Sequence, residues 1–186
     1  MGGAVRTAID VYPLEELEPG DGVIFNLPYP AGPGHLNDMS LISPIYHDGK
    51  IIAIAANQAH HVDMGGYAPG SMPFGVTEIY QEGLQVPPVK LFRRGKLDQD
   101  LWAIVEQNVR TGFEVRGDLE AQYAGNAVGT IELSKLADKY GVGTVQIYMQ
   151  QMLNYSERRM RAALSTIPDG TYEFEDVIEG DGIDDD

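Results

Sequence analysis

The sequence has no cysteine and one tryptophan among its 186 residues. Without cysteine the chain forms no disulfide and carries out no thiolate chemistry, so we expect a cytoplasmic protein. No apolar run approaches the roughly 18 residues that a membrane-spanning helix needs. The first residues also lack the charged and apolar regions of a signal peptide. These absences predict neither membrane insertion nor secretion.

Basic residues are scarce, because 13 Lys and Arg stand against 28 Asp and Glu, for a net charge of −15. Such a charge repels phosphates and anionic lipids, so we expect neither a nucleic acid nor a membrane as partner. Several acidic residues lie in 179–186. We interpret that segment as a solvated tail following a single domain over residues 1–178.

Three familiar catalytic or binding motifs are also missing. The sequence contains no Gly-x-x-x-x-Gly-Lys-Ser/Thr phosphate loop, no Gly-x-Ser-x-Gly elbow and no His-Glu-x-x-His pair. The first absence gives no support for ATP binding by this chain alone.

The first half is rich in Gly and Pro and contains short apolar runs, which is typical of strands joined by tight turns. We predict strands at 22–26, 39–46 and 51–56. The segment 47–50 contains Asp-Gly, the preferred sequence of a two-residue hairpin turn. Residues 64–76 predict a long irregular loop, a feature that is often functional.

The second half predicts helices at 98–108, 114–139 and 144–164, followed by an alternating strand at 171–177. The expected fold class is therefore α+β, with a mixed sheet containing the hairpin, a helical second half and a returning strand near the C-terminus. Helical spacing of apolar residues in the last helix predicts a buried face, formed by Val145, Tyr148, Met149, Met152, Tyr155, Met160 and Ala163.

Two segments rich in His and Asp flank the predicted hairpin. Residues 34–38 precede its first strand and residues 59–63 follow its second. Each lies about ten residues from the turn, so hairpin pairing brings both segments to one end of the sheet. Two imidazoles and a carboxylate there suit a divalent metal such as Zn, Mn or Fe. The alternative is a surface cluster with structural hydrogen bonds only.

These segments carry a resemblance to a known family. Gly-His-Leu-Asn-Asp at 34–38 and Ala-His-His-Val-Asp-Met-Gly-Gly at 59–66 resemble motifs of the hydantoinase B/oxoprolinase family. That family includes the B chains of N-methylhydantoinase and the C-terminal part of 5-oxoprolinase. Further similar blocks follow in the same order, at 69–73, 77–84, 87–91, 108–110, 117–119, 155–161 and 168–172.

The resemblance implies a subunit of an ATP-dependent cyclic amide hydrolase, which works with a hydantoinase-A-type partner. In such a pair ATP is bound by the partner and not by this chain. The implied metal ligands are His35, Asp38 and His60. The family also contains subunits of ketone carboxylases, so carboxylation is the alternative reaction.

His61 and Asp63 are the candidate catalytic residues beside the implied ligands. Either side chain could orient a metal ligand through a hydrogen bond or carry a proton. Structural hydrogen bonding within the loop is an equal alternative for both.

The sequence departs from the family pattern at Leu27, where the family has Asp, and at Asn37, where it has Pro. Family members are also much longer, so we expect this chain to be one portion of a B-type subunit. It would then oligomerise or bind the remaining portions tightly. Two further alternatives stay open, a non-catalytic scaffolding module and an independent metal hydrolase.

Overall fold

The computed structural model describes residues 1–177. Contacts divide the chain into two compact units, of which the first covers Met1–Lys135 and the second begins at Leu136. The predicted acidic tail at 179–186, and thus the end of the predicted domain, lies outside the described residues. The elements in chain order are α1 (Gly2–Val11), β1 (Gly22–Phe25), β2 (Asp38–His47), β3 (Lys50–His60), β4 (Val89–Arg93), β5 (Lys96–Leu97), α2 (Gln99–Asn108), α3 (Gly112–Tyr140) and α4 (Val142–Leu164).

The five strands of the first unit form one sheet in the order β3-β2-β1-β4-β5. All neighbouring strands are antiparallel, so the α+β class is confirmed but the predicted mixed sheet is wrong. Parallel pairs need long crossover connections, usually helical. Here α2 and α3 follow the strands instead of alternating with them, and the sheet is built from reversals of the chain.

The hairpin of β2 and β3 forms as predicted, around Asp48 and Gly49. Both residues have positive φ, 48° and 73°, which the Asp-Gly sequence tolerates and a two-residue hairpin turn requires. His47 pairs with Lys50 at the turn, and Asp38 pairs with His60 at the far end. The strands are longer than predicted, because the ladder continues into both His/Asp segments.

Apolar residues pack on both faces of the sheet. Ile24, Met39 and Leu41 face α2 and α3, where they contact Trp102 and Leu119 among others. The opposite face packs against α1, a helix that was not predicted from the sequence. This second cluster consists of Ala4, Ala8, Leu17, Val23, Phe25 and Ile42. Strand alternation divides neighbouring residues such as Ile24 and Phe25 between the two cores.

Helix α2 begins as predicted, since the Asp98 carboxylate accepts a hydrogen bond from the Leu101 N–H at 3.1 Å. This N-cap satisfies a donor that the first helical turn leaves free. The predicted helix at 114–139 corresponds to α3, which runs without a break through Gly125 and Gly129.

Two predictions for the C-terminal region are wrong. Residues 171–177 form no strand and are exposed, because an alternating pattern yields a strand only where a neighbouring edge accepts it. The predicted buried face of α4 is also mostly exposed, with Tyr148 67% and Met152 70% accessible, and Val145 is its one buried member within the described helix. Apolar spacing identifies a surface suited to burial but not the polypeptide that buries it.

No helix among residues 1–177 is long and apolar enough to cross a membrane.

Candidate metal centre

Three potential ligand atoms converge at the end of the β2–β3 hairpin. His60 Nδ1 lies 3.1 Å from His35 Nε2 and 3.1 Å from Asp38 Oδ1. The third side of the triangle, from His35 Nε2 to Asp38 Oδ1, measures 3.2 Å. The structure therefore brings together the three residues implied as ligands by the sequence.

The side lengths of the triangle are compatible with three ligands of one metal ion. With ligand bonds of about 2.1 Å, two donor atoms are about 3.0 Å apart at a right angle and about 3.4 Å apart at the tetrahedral angle. The observed separations fall between these values. Two imidazoles and one carboxylate are the donor set of sites that keep coordination positions for water or substrate.

The donor side chains are accessible from solvent. Side-chain exposure is 34% for His35, 21% for Asp38 and 55% for His60. Gln58 lies beside them on β3, and its amide approaches Asp38 Oδ2 at 3.4 Å. A small molecule can thus approach the triangle from the side that the protein leaves open.

Strand register fixes two of the three donors. Asp38 and His60 are direct partners in the antiparallel ladder, and partners across a ladder project to the same face. His35 joins them through a tight turn, in which the Asp38 N–H donates to the His35 carbonyl at 3.1 Å. Backbone hydrogen bonds thus help to hold the three donor atoms close together.

Asn37, at the position where the resembling family has Pro, fastens this end of the hairpin. Its buried side-chain amide donates to the backbone carbonyl oxygens of His61 at 3.0 Å and Gly70 at 2.9 Å. The backbone carbonyl of Asn37 accepts a hydrogen bond from the His61 N–H at 2.8 Å. In the sequence Asn37 stood out only as a departure from the motif. Its role could not be found there because both partners lie far along the chain.

His61 is fully buried on the opposite side from His60. Consecutive strand residues project to opposite faces, which separates the two imidazoles despite their adjacency. Burial lowers the pKa of His61, while the hydrogen bond to Gln122 acts in the other direction. The ring nitrogen Nε2 lies 2.8 Å from the Gln122 side-chain oxygen.

Asp63 is 2% exposed and organises the loop after β3. Its carboxylate accepts hydrogen bonds from the backbone N–H groups of Gly65, Gly70 and Arg110. The Arg110 guanidinium adds an ion pair at 3.0 Å and reaches the carbonyl oxygens of Gly65, Ala68 and Gly66. Burial acts to raise the pKa of Asp63, but these hydrogen bonds outweigh it and hold the pKa below its usual value.

Arg110 was not predicted as a site residue. The only sequence signal was its place in a short block, 108–110, that is similar to the family named above. Arg110 and Asp63 are 47 residues apart, and the sequence between them does not indicate that they pair. The structure thus brings His35, Asp38 and His60 together, and places His61 and Asp63 in separate buried contacts behind them.

A family model described as Hydantoinase B/oxoprolinase matches residues 1–185. This chain belongs to the hydantoinase B/oxoprolinase family. The resemblance carried by the sequence motifs is therefore confirmed.

Relatives within the hydantoinase B/oxoprolinase family are considerably longer. An uncharacterised protein of Methanocaldococcus jannaschii is 42% identical over 90% of this chain and 30% of its own length. The B chain of a putative D-/L-hydantoinase of Pseudomonas sp. (strain NS671) is 35% identical over 87% of this chain and 27% of its own length. The chain thus spans about 30% of the length of these relatives.

A solved structure shares the fold of this chain. The crystal structure of ATP-dependent caprolactamase from Pseudomonas jessenii superposes with a TM-score of 0.81 and 32% identity, over 91% of this chain and 30% of that one.

Proposed function

We propose that this chain carries the metal centre of a B-type subunit in an ATP-dependent cyclic amide hydrolase. The observation that carries the proposal is the triangle of donor atoms from His35, Asp38 and His60, with sides of 3.1 to 3.2 Å. Family membership and the hydantoinase and caprolactamase activities named for relatives support the substrate class.

His35, Asp38 and His60 would hold one divalent cation, for which Zn, Mn and Fe all suit the donor set. Such a cation polarises a carbonyl or phosphoryl oxygen, or lowers the pKa of a bound water. The protein contributes a fixed ligand geometry and an open side. The hairpin ladder and the Asn37 amide supply the fixed ligand geometry.

His61 and Asp63 act in this proposal as positioning residues. Both are buried, at 0% and 2% exposure, so neither side chain reaches a molecule bound at the open triangle. His61 instead anchors the backbone next to His60 through its contact with Gln122. Asp63 holds the loop that meets the Asn37 amide at Gly70. This assignment favours the orienting role over proton transfer.

The proposed partner is a hydantoinase-A-type subunit that binds ATP. The subunit-B name of the hydantoinase relative and the ATP dependence of the caprolactamase support it. We also propose that protein beyond this chain, the remaining portion of a B-type subunit, covers α4. The exposed apolar side chains of α4 support this, among them Ile147, Tyr148, Met152, Leu153 and Met160.

The test is a turnover assay of this chain purified together with an A-type subunit, with hydantoin and caprolactam as substrates. We expect ring opening that depends on ATP, is abolished by His60→Ala and is retained by His47→Ala. His47 is a matched control because it lies at the other end of the same hairpin.

Three results would contradict this function. Equal activity of His60→Ala and the wild type would exclude the triangle from the reaction. ATP-dependent carboxylation of a ketone, without amide hydrolysis, would favour the carboxylase alternative. A stable complex without either reaction would favour the scaffolding alternative.

A further inference from the structure

A ladder of three side-chain amides, Asn57, Gln122 and Asn126, lies behind the hairpin. Gln122 and Asn126 project from α3, one helical turn apart, and Asn57 projects from β3. Asn57 Nδ2 donates to the backbone carbonyl of Gln122 at 2.8 Å and to Asn126 Oδ1 at 2.9 Å. Asn126 in turn reaches the carbonyl of Leu41 at 3.2 Å. The ladder therefore ties α3 to both strands of the hairpin.

Gln122 is the member of this ladder that contacts the neighbours of the proposed ligands. Its amide nitrogen donates to the carbonyl of Met39 at 2.9 Å and to Asn57 Oδ1 at 2.7 Å. Its oxygen lies 2.8 Å from His61 Nε2. Met39 follows Asp38 and His61 follows His60, so one side chain holds the residues next to two proposed ligands.

The hydrogen bonds fix the orientation of both groups. The carbonyl of Met39 only accepts, so the Gln122 nitrogen must face it and the Gln122 oxygen must face His61. His61 Nε2 then carries a proton and donates it. His61 Nδ1 is left as an acceptor, and it has no hydrogen-bond partner among the described residues. A buried imidazole with one satisfied nitrogen depends on that single bond for its orientation.

His60 ends β3 and projects to the face opposite His61. The position of the His60 ring therefore depends on the backbone that His61 anchors from behind. We propose that Gln122 is a positioning residue of the metal centre, which acts through His61 and Met39 to hold His60 and Asp38 at ligand spacing. This inference rests on the metal centre proposed above.

The experiment compares two ladder variants of similar structural cost. Gln122→Met keeps the length of the side chain and removes its contact with His61. Asn126→Leu breaks the same ladder one turn further along and leaves that contact in place. Two readouts are taken, the ring-nitrogen NMR spectrum of the metal-free protein and the dissociation constant for Co²⁺ from its absorption spectrum, with urea unfolding as the measure of stability.

We expect a single Nε2–H tautomer of His61 in the wild type and a mixture of tautomers in Gln122→Met. The Co²⁺ dissociation constant should rise about tenfold in Gln122→Met, the size of effect typical of groups behind metal ligands. It should stay within about twofold in Asn126→Leu at equal loss of stability.

Equal weakening of Co²⁺ binding by Gln122→Met and Asn126→Leu, or no weakening by either, would overturn the inference and leave the metal centre intact. A wild type that shows the single tautomer but binds no Co²⁺ would contradict the metal centre itself, and the positioning role with it. The tautomer spectrum needs no metal, so it separates these two failures.

Discussion

Asp63→Ala is expected to lower the free energy of unfolding by about 3 to 5 kcal/mol, because several backbone donors lose one buried acceptor at a cost of about 1 to 3 kcal/mol each. The change removes the acceptor of four hydrogen bonds, from the N–H groups of Gly65, Gly70 and Arg110 and from the Arg110 guanidinium. Three backbone donors and one cation then lose their partner together. Urea unfolding followed by circular dichroism measures the loss.

The control is Glu120→Ala, which breaks the exposed pair with Arg116 at 2.8 Å. Exposed pairs contribute little, so this variant should lose less than about 1 kcal/mol. A loss below about 1 kcal/mol for Asp63→Ala as well would show that Asp63 does not organise the loop.

Because the pKa of Asp63 is lowered in the folded protein, this carboxylate makes the free energy of unfolding depend on pH in the acidic range. A depressed folded pKa means that the unfolded chain takes up the proton more readily. The stabilisation is therefore complete above the unfolded pKa of about 4 and is lost as the pH falls through the folded value. Stability of the wild type should decline over this range more steeply than that of Asp63→Asn.

Gly66→Ala is expected to cost more than about 3 kcal/mol, because backbone strain and a backbone clash add together. Gly66 has φ of +82°, and an added Cβ would lie 2.5 Å from the Glu82 carbonyl and 2.6 Å from the Gln81 oxygen. These contacts involve main-chain atoms, which cannot rotate away. The loop after β3 would have to separate from residues 79–84, which thermal unfolding would detect.

Gly49→Ala is the matched control, since Gly49 has φ of +73° and no atom within 4 Å of the added Cβ. It isolates the strain of the left-handed conformation, about 1 to 2 kcal/mol. Equal losses in the two glycine variants would show that close packing at Gly66 has no energetic consequence.

The hairpin was predictable because its information is local. An Asp-Gly pair between two apolar runs specifies a turn, and the turn then sets the register. Counting residues outward from the turn along both strands therefore places Asp38 close to His60. The structure confirms that the two His/Asp segments lie together.

The contacts behind the proposed metal centre were not predictable in the same way. These contacts join residues that lie 24 to 83 positions apart, and they are made by Asn37, Gln122 and Arg110. The periodicity of a sequence does not indicate pairs at such separations. The same limit applies to α4, whose apolar pattern marks a surface suited to burial. The spacing carries no information about a partner for that surface.

The absence of a strand at 171–177 has a related cause. Alternation of apolar and polar residues is a necessary condition for a half-buried strand, but pairing supplies most of its stability. Residues 171–177 contain no strand.

The most direct test of the account is metal binding by the purified chain, measured by equilibrium dialysis with elemental analysis for Zn, Mn and Fe. We predict about one ion per chain, with binding lost or at least about 100-fold weaker in His35→Ala, Asp38→Ala and His60→Ala. His47→Ala, at the opposite end of the hairpin, should bind as the wild type does. No bound metal after reconstitution, or binding unaffected by His60→Ala, would contradict the metal centre.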